Sequence, residues 1–252
     1  MNPHRQLTDA VLQAASFLPT VPPDLAPGLL ALKARVEQEP PREPEDELAA
    51  ALAGEMGPYM QQVAEQIVNG QQPDTRGMDD RILVLLLLGL LGATTASTLQ
   101  RSRALGVELS IDTINQRATQ WAQSYTYNQV RGINETTQRA ISDVVSAYTR
   151  TPGMTVDDVA KLLEPTFGAR RAQTIATTEI TRAYGQAATI TQNELQAQGV
   201  MAELQWVTYR DDRVCPICGP LHNTYEEAWQ LEFPDGPPAH VNCRCWLAVV
   251  RQ

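Results

Sequence analysis

From Asp79 to Gly199 apolar residues return at intervals of three and four, the period of a helix that buries one face. Ile111, Ile114, Ala118, Trp121 and Tyr125 begin a stripe that Val130, Ile133, Thr137, Ile141, Val144 and Tyr148 continue. This predicts one long helix, or two joined near Gly132, ended by Thr151-Pro152-Gly153. Thr155, with Asp158 three residues on, has the form of a capping box for a short helix through Leu163, and Pro165 to Gly168 reads as a turn. Ala172, Ala176, Ile180, Ala183, Ala187 and Ile190 line a further long helix. Its small residues permit close approach of a neighbour, and Gly199 supplies a stop. After Gly199 the period falls to two. Leu204, Trp206 and Thr208 alternate with Gln205, Val207 and Tyr209 as in a short strand, and Trp246 to Val250 reads as a second.

Upstream, proline divides the chain. Leu7 to Leu18 and Gly28 to Val36 read as short helices separated by Pro19, Pro22, Pro23 and Pro27. The stretch from Glu37 to Glu47 is proline-rich and acidic and reads as a solvated linker. Glu47 to Val68 is helical in pattern, with Gly57-Pro58 expected to kink or divide it, and Asn69-Gly70 marks a loop. The predicted fold class is mainly α (α+β): an elongated helical body with a small C-terminal antiparallel β element clasped by a Cys/His cluster. Three regions follow: an N-terminal helical extension with its linker (1–100), a long-helix body (101–200) and the small β element (201–252).

The strongest apolar run, Ile82 to Leu91, falls short of the roughly 20 residues of a spanning helix before turning small and polar at Gly92-Ala93-Thr94. It reads as a helix buried on all sides or at a subunit interface, and no membrane partner is expected. Across 252 residues the formal charge is −9. An acidic balance matches a phosphate backbone poorly, which argues against a dedicated nucleic-acid-binding module. Arg170, Arg171, Arg182, Arg244 and Arg251 leave a local basic face open as an alternative. The first residues, Met1 to Gln6, lack the apolar core of a secretory signal, so an oxidising compartment is not indicated.

All four cysteines fall in the last forty residues, as Cys215-Pro216-Ile217-Cys218 and Cys243-Arg244-Cys245, with His222 and His240 between them. Thiolates and imidazoles at such spacings suit a tetrahedral structural zinc. Cys215, Cys218, His240, Cys243 and Cys245 are the candidate ligands. One set is all four cysteines; the other exchanges Cys243 or Cys245 for His240. His222 reads equally as a surface or hydrogen-bonding histidine. Competing readings are a redox pair, two disulfides or thiols without metal, and catalytic zinc. Glu226 and Glu227 lie near in sequence, but the His-x-Glu spacing of zinc deaminases is absent.

The run Trp206-x-Thr208-x-x-Asp211-Asp212-Arg213-Val214-Cys215-Pro216-x-Cys218-Gly219-Pro220-Leu221-His222, followed by Pro237-Pro238-Ala239-His240-x-Asn242-Cys243-Arg244-Cys245, resembles the phage Mu protein F-like family, also called the phage head morphogenesis or minor head protein family. Upstream, Ile175-Ala176-Thr177-Thr178-Glu179-Ile180-x-Arg182-Ala183-Tyr184-x-Gln186-Ala187 is similar to the helix that precedes this motif there. The likeness covers about residues 110 to 250. It implies a minor head protein of a tailed phage or prophage, in the head interior or at the portal vertex, and in the host cytoplasm during assembly. The implied partners are the portal protein and/or the major capsid protein, with non-specific contact to packaged DNA in packaging or ejection. Asp211 and Arg213 are family-like, and their simplest role is to shape and cover the turn into the cysteine loop. No Ser-His-Asp order or phosphate-binding glycine loop is present, so no enzyme is expected. The alternatives are a zinc-dependent or toxin-like enzyme and a non-specific DNA-binding zinc module.

Overall fold

The structure, a computed structural model, describes residues 38–209 and 211–252. The short helices expected over Leu7 to Leu18 and Gly28 to Val36 lie outside the described residues. As expected, the described chain is mainly helical with a small C-terminal antiparallel sheet. In order come α1 (Glu43–Val68), α2 (Arg76–Ala104), α3 (Ile111–Arg150), α4 (Val156–Phe167), α5 (Ala169–Ala197), β1 (Ala202–Val207), a 3-10 turn (Gly219–Leu221), the short α6 (Glu226–Trp229) and β2 (Trp246–Arg251).

Two compact units are formed. One comprises residues 42–92 and 118–180; the other comprises 93–117 and 181–252 together with the segment ending at Pro41. In the first, α1 begins inside the stretch that composition marks as linker. Pro44 sits in the opening turn, where its missing N–H costs nothing, and Glu43, Glu45 and Asp46 stand at the positive end of the helix dipole. The helix also continues through Pro58 without dividing. Glu45 is buried, and its carboxylate accepts from Arg42, from Gln173 at 3.1 Å and from Thr177, so the buried charge is satisfied.

The apolar run of α2 is buried on one face rather than all round. Ile82, Leu86 and Leu90, four apart, are fully buried, while Val84 is 53% and Leu88 62% exposed. Gly89 lets Leu48 approach: a Cβ there would stand 3.3 Å from the Leu48 methyls. Gly77–Ala104 is long and apolar enough to cross a membrane by length and composition alone, because Gly92 to Ser97 remain only weakly polar. A helix packed along one face in a core passes the same test.

α3 is one unbroken helix of 40 residues, continuous through Gly132. Ile114, Ala118, Ile141 and Val144 of the predicted stripe are buried, whereas Ile111 is exposed. α4 opens on the expected capping box, with Thr155 accepting from the Asp158 N–H and Asp158 accepting from the Thr155 N–H. It runs beyond Leu163, through Pro165, to Phe167, with Gly168 as its cap. The predicted turn is therefore the helix's last turn, held by the buried Leu163 and Phe167.

In the second unit the small-residue stripe of α5 is buried from Ala183 to Ile190. The helix stops at Gly199, φ 78°, with Val200 N–H returning to Leu195 O at 2.9 Å. β1 and β2 pair antiparallel with Ala202 opposite Arg251 and Val207 opposite Trp246. Both faces of β1 are covered, since Gln205 and Val207 are buried along with Leu204 and Trp206. The loop between the strands folds back over them: Gln205 donates to Asn223 O at 3.1 Å, and Trp206 N–H to Thr224 O at 2.9 Å.

Candidate metal centre

The loop from Thr208 to Cys245 carries every cysteine of the chain. At its start the Asp211 carboxylate accepts the Arg213 N–H at 3.1 Å, closing the turn as its position suggested. The same carboxylate takes Arg244 Nη2 on both oxygens at 2.8 Å, and the guanidinium lies 5.4 Å from the centre of the Tyr209 ring. Burial raises the Asp211 carboxyl, but the Arg244 bond and charge outweigh it and hold it below the usual range. Arg244 is the middle residue of Cys243-Arg244-Cys245, so its pinned side chain fixes the run that presents the two flanking thiols.

The first pair is set by a tight turn. Cys218 N–H points to Cys215 Sγ at 3.3 Å and Gly219 N–H to Cys215 O at 3.0 Å. The second half of the loop rests on α5. Thr181 Oγ1 donates to Cys243 O at 2.8 Å, and Arg182 Nη2 to Pro238 O at 3.5 Å. At Gly185 a Cβ would stand 2.9 Å from Pro237 O, so only glycine admits the loop this close. Thr181 and Gly185 are the two unspecified positions of the helix motif. In this chain their contacts seat the cysteine loop on α5. Asn242 adopts φ 66° just before Cys243, a turn that asparagine tolerates.

Five side chains converge. Cys215, Cys218 and His240 place ligand atoms within 4.8 Å of one another, as do Cys218, Cys243 and Cys245, so Cys218 belongs to both groups. His240 Nε2 is 3.0 Å from Cys215 Sγ and 3.4 Å from Cys218 Sγ, and Cys218 Sγ is 3.7 Å from Cys243 Sγ. Tetrahedral zinc with bonds of about 2.3 Å to sulfur and about 2.0 Å to nitrogen separates its ligands by roughly 3.5–3.8 Å. Both separations from Cys218 lie in or beside that range. The five residues line a cavity of about 20 Å³, room for one small ion. His240 Nδ1 lies 2.8 Å from Val241 O. Donation there leaves Nε2 bare toward the thiols, the orientation a ligating imidazole needs.

The thiol electrostatics agree with this geometry. Hydrogen bonds from Cys218 and Cys245 push the buried Cys243 thiol down, and the Cys218 thiol rises correspondingly beside Cys243 and Cys245. Burial alone would raise Cys215, but the N–H and side chain of Cys218, the Ile217 N–H and His240 together bring it down. Thiols crowded so that they shift one another in opposite directions are a setting in which a divalent cation would let them ionise together. Cys218 and Cys243 stand well beyond the bonded distance of about 2.05 Å for a disulfide. His222 is placed elsewhere: its Nδ1 accepts from the Thr208 N–H at 3.0 Å at the end of β1.

The cysteine loop, both strands, α4, α5 and the second half of α3 fall almost entirely within residues 131–248. The sequence profile of the family described as Phage Mu protein F like protein matches that stretch, just under half of the chain. No curated protein and no solved structure matches the chain. This stretch, which holds all five converging Cys and His residues, is similar to the phage Mu protein F like family.

Proposed function

We propose that the protein is a minor structural component of a tailed-phage or prophage head, acting in head morphogenesis through contact with the portal protein or the major capsid protein. The observation that carries this reading is the coincidence of the family match with the converged thiol cluster. In this reading the cluster holds a structural zinc. Cys215, Cys218, His240 and Cys243 are its ligands, since they are joined in series by the contacts of 3.0, 3.4 and 3.7 Å. Cys245, within 4.8 Å of Cys218 and Cys243, is the alternative fourth ligand. Zinc here supplies no reaction; it ties two distant parts of the loop together, and the loop covers the sheet. Contact with packaged DNA during packaging or ejection is compatible with this role and would be non-specific and salt-sensitive.

Two measurements test the proposal. Co-purification with the portal or capsid protein of the same genome, and detection in purified heads, are expected; absence from particles together with no binding to either protein overturns the assembly role. About one zinc per reduced chain, and a tetrahedral sulfur spectrum on cobalt substitution, are expected for the clasp. A chain that folds normally with no bound metal refutes that part while leaving the assembly role standing.

A further inference from the structure

Residues 38–41, Gln-Glu-Pro-Pro, form neither helix nor strand, yet Gln38 and Pro40 are buried. Two successive prolines fix their own φ and push Glu39 and Pro40 into extended backbone, since each precedes a proline. Proline has no N–H, so at residues 40 and 41 the backbone offers only acceptors. The surrounding unit meets all four consecutive carbonyls with side-chain donors. Arg101 Nη1 reaches Gln38 O at 3.3 Å, Gln100 Nε2 reaches Glu39 O at 3.2 Å, Tyr209 Oη reaches Pro40 O at 3.4 Å and Tyr184 Oη reaches Pro41 O at 2.7 Å.

The Gln38 side chain adds a second mode of recognition. Its Nε2 donates to Val249 O at 3.0 Å and its Oε1 accepts the Val249 N–H at 2.7 Å. The amide thereby pairs with β2 as a neighbouring strand would and closes that edge. Arg101 is fully buried, and its other terminal nitrogen donates to Tyr184 O at 3.2 Å. Without residues 38–41 this buried cation would be short of an acceptor, which is costly inside a protein.

Side-chain donors aimed at the carbonyls of an extended proline-containing segment, with one strand edge read by an amide, are the means by which proteins recognise peptides. We infer that Gln100, Arg101, Tyr184, Tyr209 and the edge of β2 at Val249 form a groove specific for an extended Gln-x-Pro-Pro peptide, occupied in this chain by its own residues 38–41. The segment acts as a resident ligand of that groove. The inference depends on neither the zinc nor the head-assembly role.

The probe is a labelled peptide with the sequence of residues 36–43, Val-Glu-Gln-Glu-Pro-Pro-Arg-Glu. It is titrated into the full-length protein, as purified, and followed by fluorescence anisotropy. The wild-type chain, whose groove is filled, is expected to bind it weakly. The Gln38→Ala chain is expected to bind at least about tenfold more tightly, because its own segment has lost the paired amide bonds. Adding Tyr184→Phe and Tyr209→Phe, or replacing Gln by Ala in the peptide, should remove that gain. As a second readout, amide exchange at Val249 should quicken in Gln38→Ala and return toward wild type with saturating peptide. If the folded Gln38→Ala chain ignores the peptide, or Val249 stays unprotected when peptide is added, residues 38–41 are ordinary packing and the groove proposal falls.

Discussion

The helical unit and the sheet unit are held by different forces. In residues 42–92 and 118–180, Leu52, Met56, Val63, Ile82, Leu86, Leu163 and Phe167 are fully buried, and helices supply their own backbone hydrogen bonds, so apolar burial is sufficient to fix them. The sheet unit has two strands of six residues each. A two-stranded sheet is marginal alone. Its core mixes Leu204, Trp206, Leu247 and Val249 with Cys218, Cys243 and Cys245, and its long loop is tied by side-chain bonds to backbone. One unit is specified by periodicity; the other by a few residues that must meet.

The largest effect expected from that contrast is at Cys218, the sulfur common to both groups. Cys218→Ser should bring bound metal near zero and loosen the sheet unit, since structural zinc contributes on the order of 10 kcal/mol in small zinc domains. Red-shifted tryptophan fluorescence should report it, because Trp206, Trp229 and Trp246 all lie in this unit, while far-UV helical signal persists. Cys245→Ser sharpens the ligand assignment: retained zinc supports His240 in the set, and lost zinc supports the four-cysteine set. The opposite case is Leu163→Ala in the helical unit. It should cost about 2–5 kcal/mol in a denaturation curve and leave the metal content unchanged; a parallel loss of zinc would break the separation.

This contrast also explains what the sequence disclosed. α3, α4 and α5 were legible because one buried stripe sets each of them, and the Thr155 and Asp158 pair marked the start of α4. Element ends were less legible. Pro44 reads as a breaker by composition but sits where a helix start accepts it, and Pro165 is carried by the burial of Phe167 in the final turn. The cysteines announced a cluster, yet the parts that aim it were hidden. Arg244 carries no signal that it will be gripped by Asp211, thirty-three residues away. Thr181 and Gly185 look like ordinary small residues of a buried stripe. Gln38, in a stretch that reads as solvated, is buried because its amide finds the edge of β2.

The Asp211–Arg244 pair gives the next smaller effect. Its side chains are 21% and 16% exposed, and charge-assisted bonds in such a setting contribute more than neutral ones. Asp211→Asn should cost about 2 kcal/mol at neutral pH. The carboxyl is held below its ordinary 3.8 in the folded chain. Its contribution is therefore present in full above the unfolded value and is lost as pH falls through the folded one. The stability gap between wild type and Asp211→Asn should be flat from pH 7 to about 5 and close below about pH 4. Titration of chemical stability against pH checks it, and a gap that widens in acid would refute the pairing.

The smallest effect belongs to the cap of α4, where no thiol, metal or core residue is involved. Thr155 Oγ1 receives the Asp158 N–H at 3.3 Å and donates to the Asp158 carboxylate at 2.7 Å, on an exposed surface. Thr155→Ala removes both bonds but leaves the Thr155 backbone N–H on the carboxylate at 3.0 Å. A lost N-cap in a chain of this size should lower the melting temperature by about 2–4 °C, with zinc content and tryptophan emission as in wild type. Thr155→Ser restores the hydroxyl and should recover the loss, whereas a general surface effect would not distinguish serine from alanine. If the drop instead matched that of Leu163→Ala, the helical unit would depend on its cap as heavily as on its core, and burial could no longer be the main force holding it.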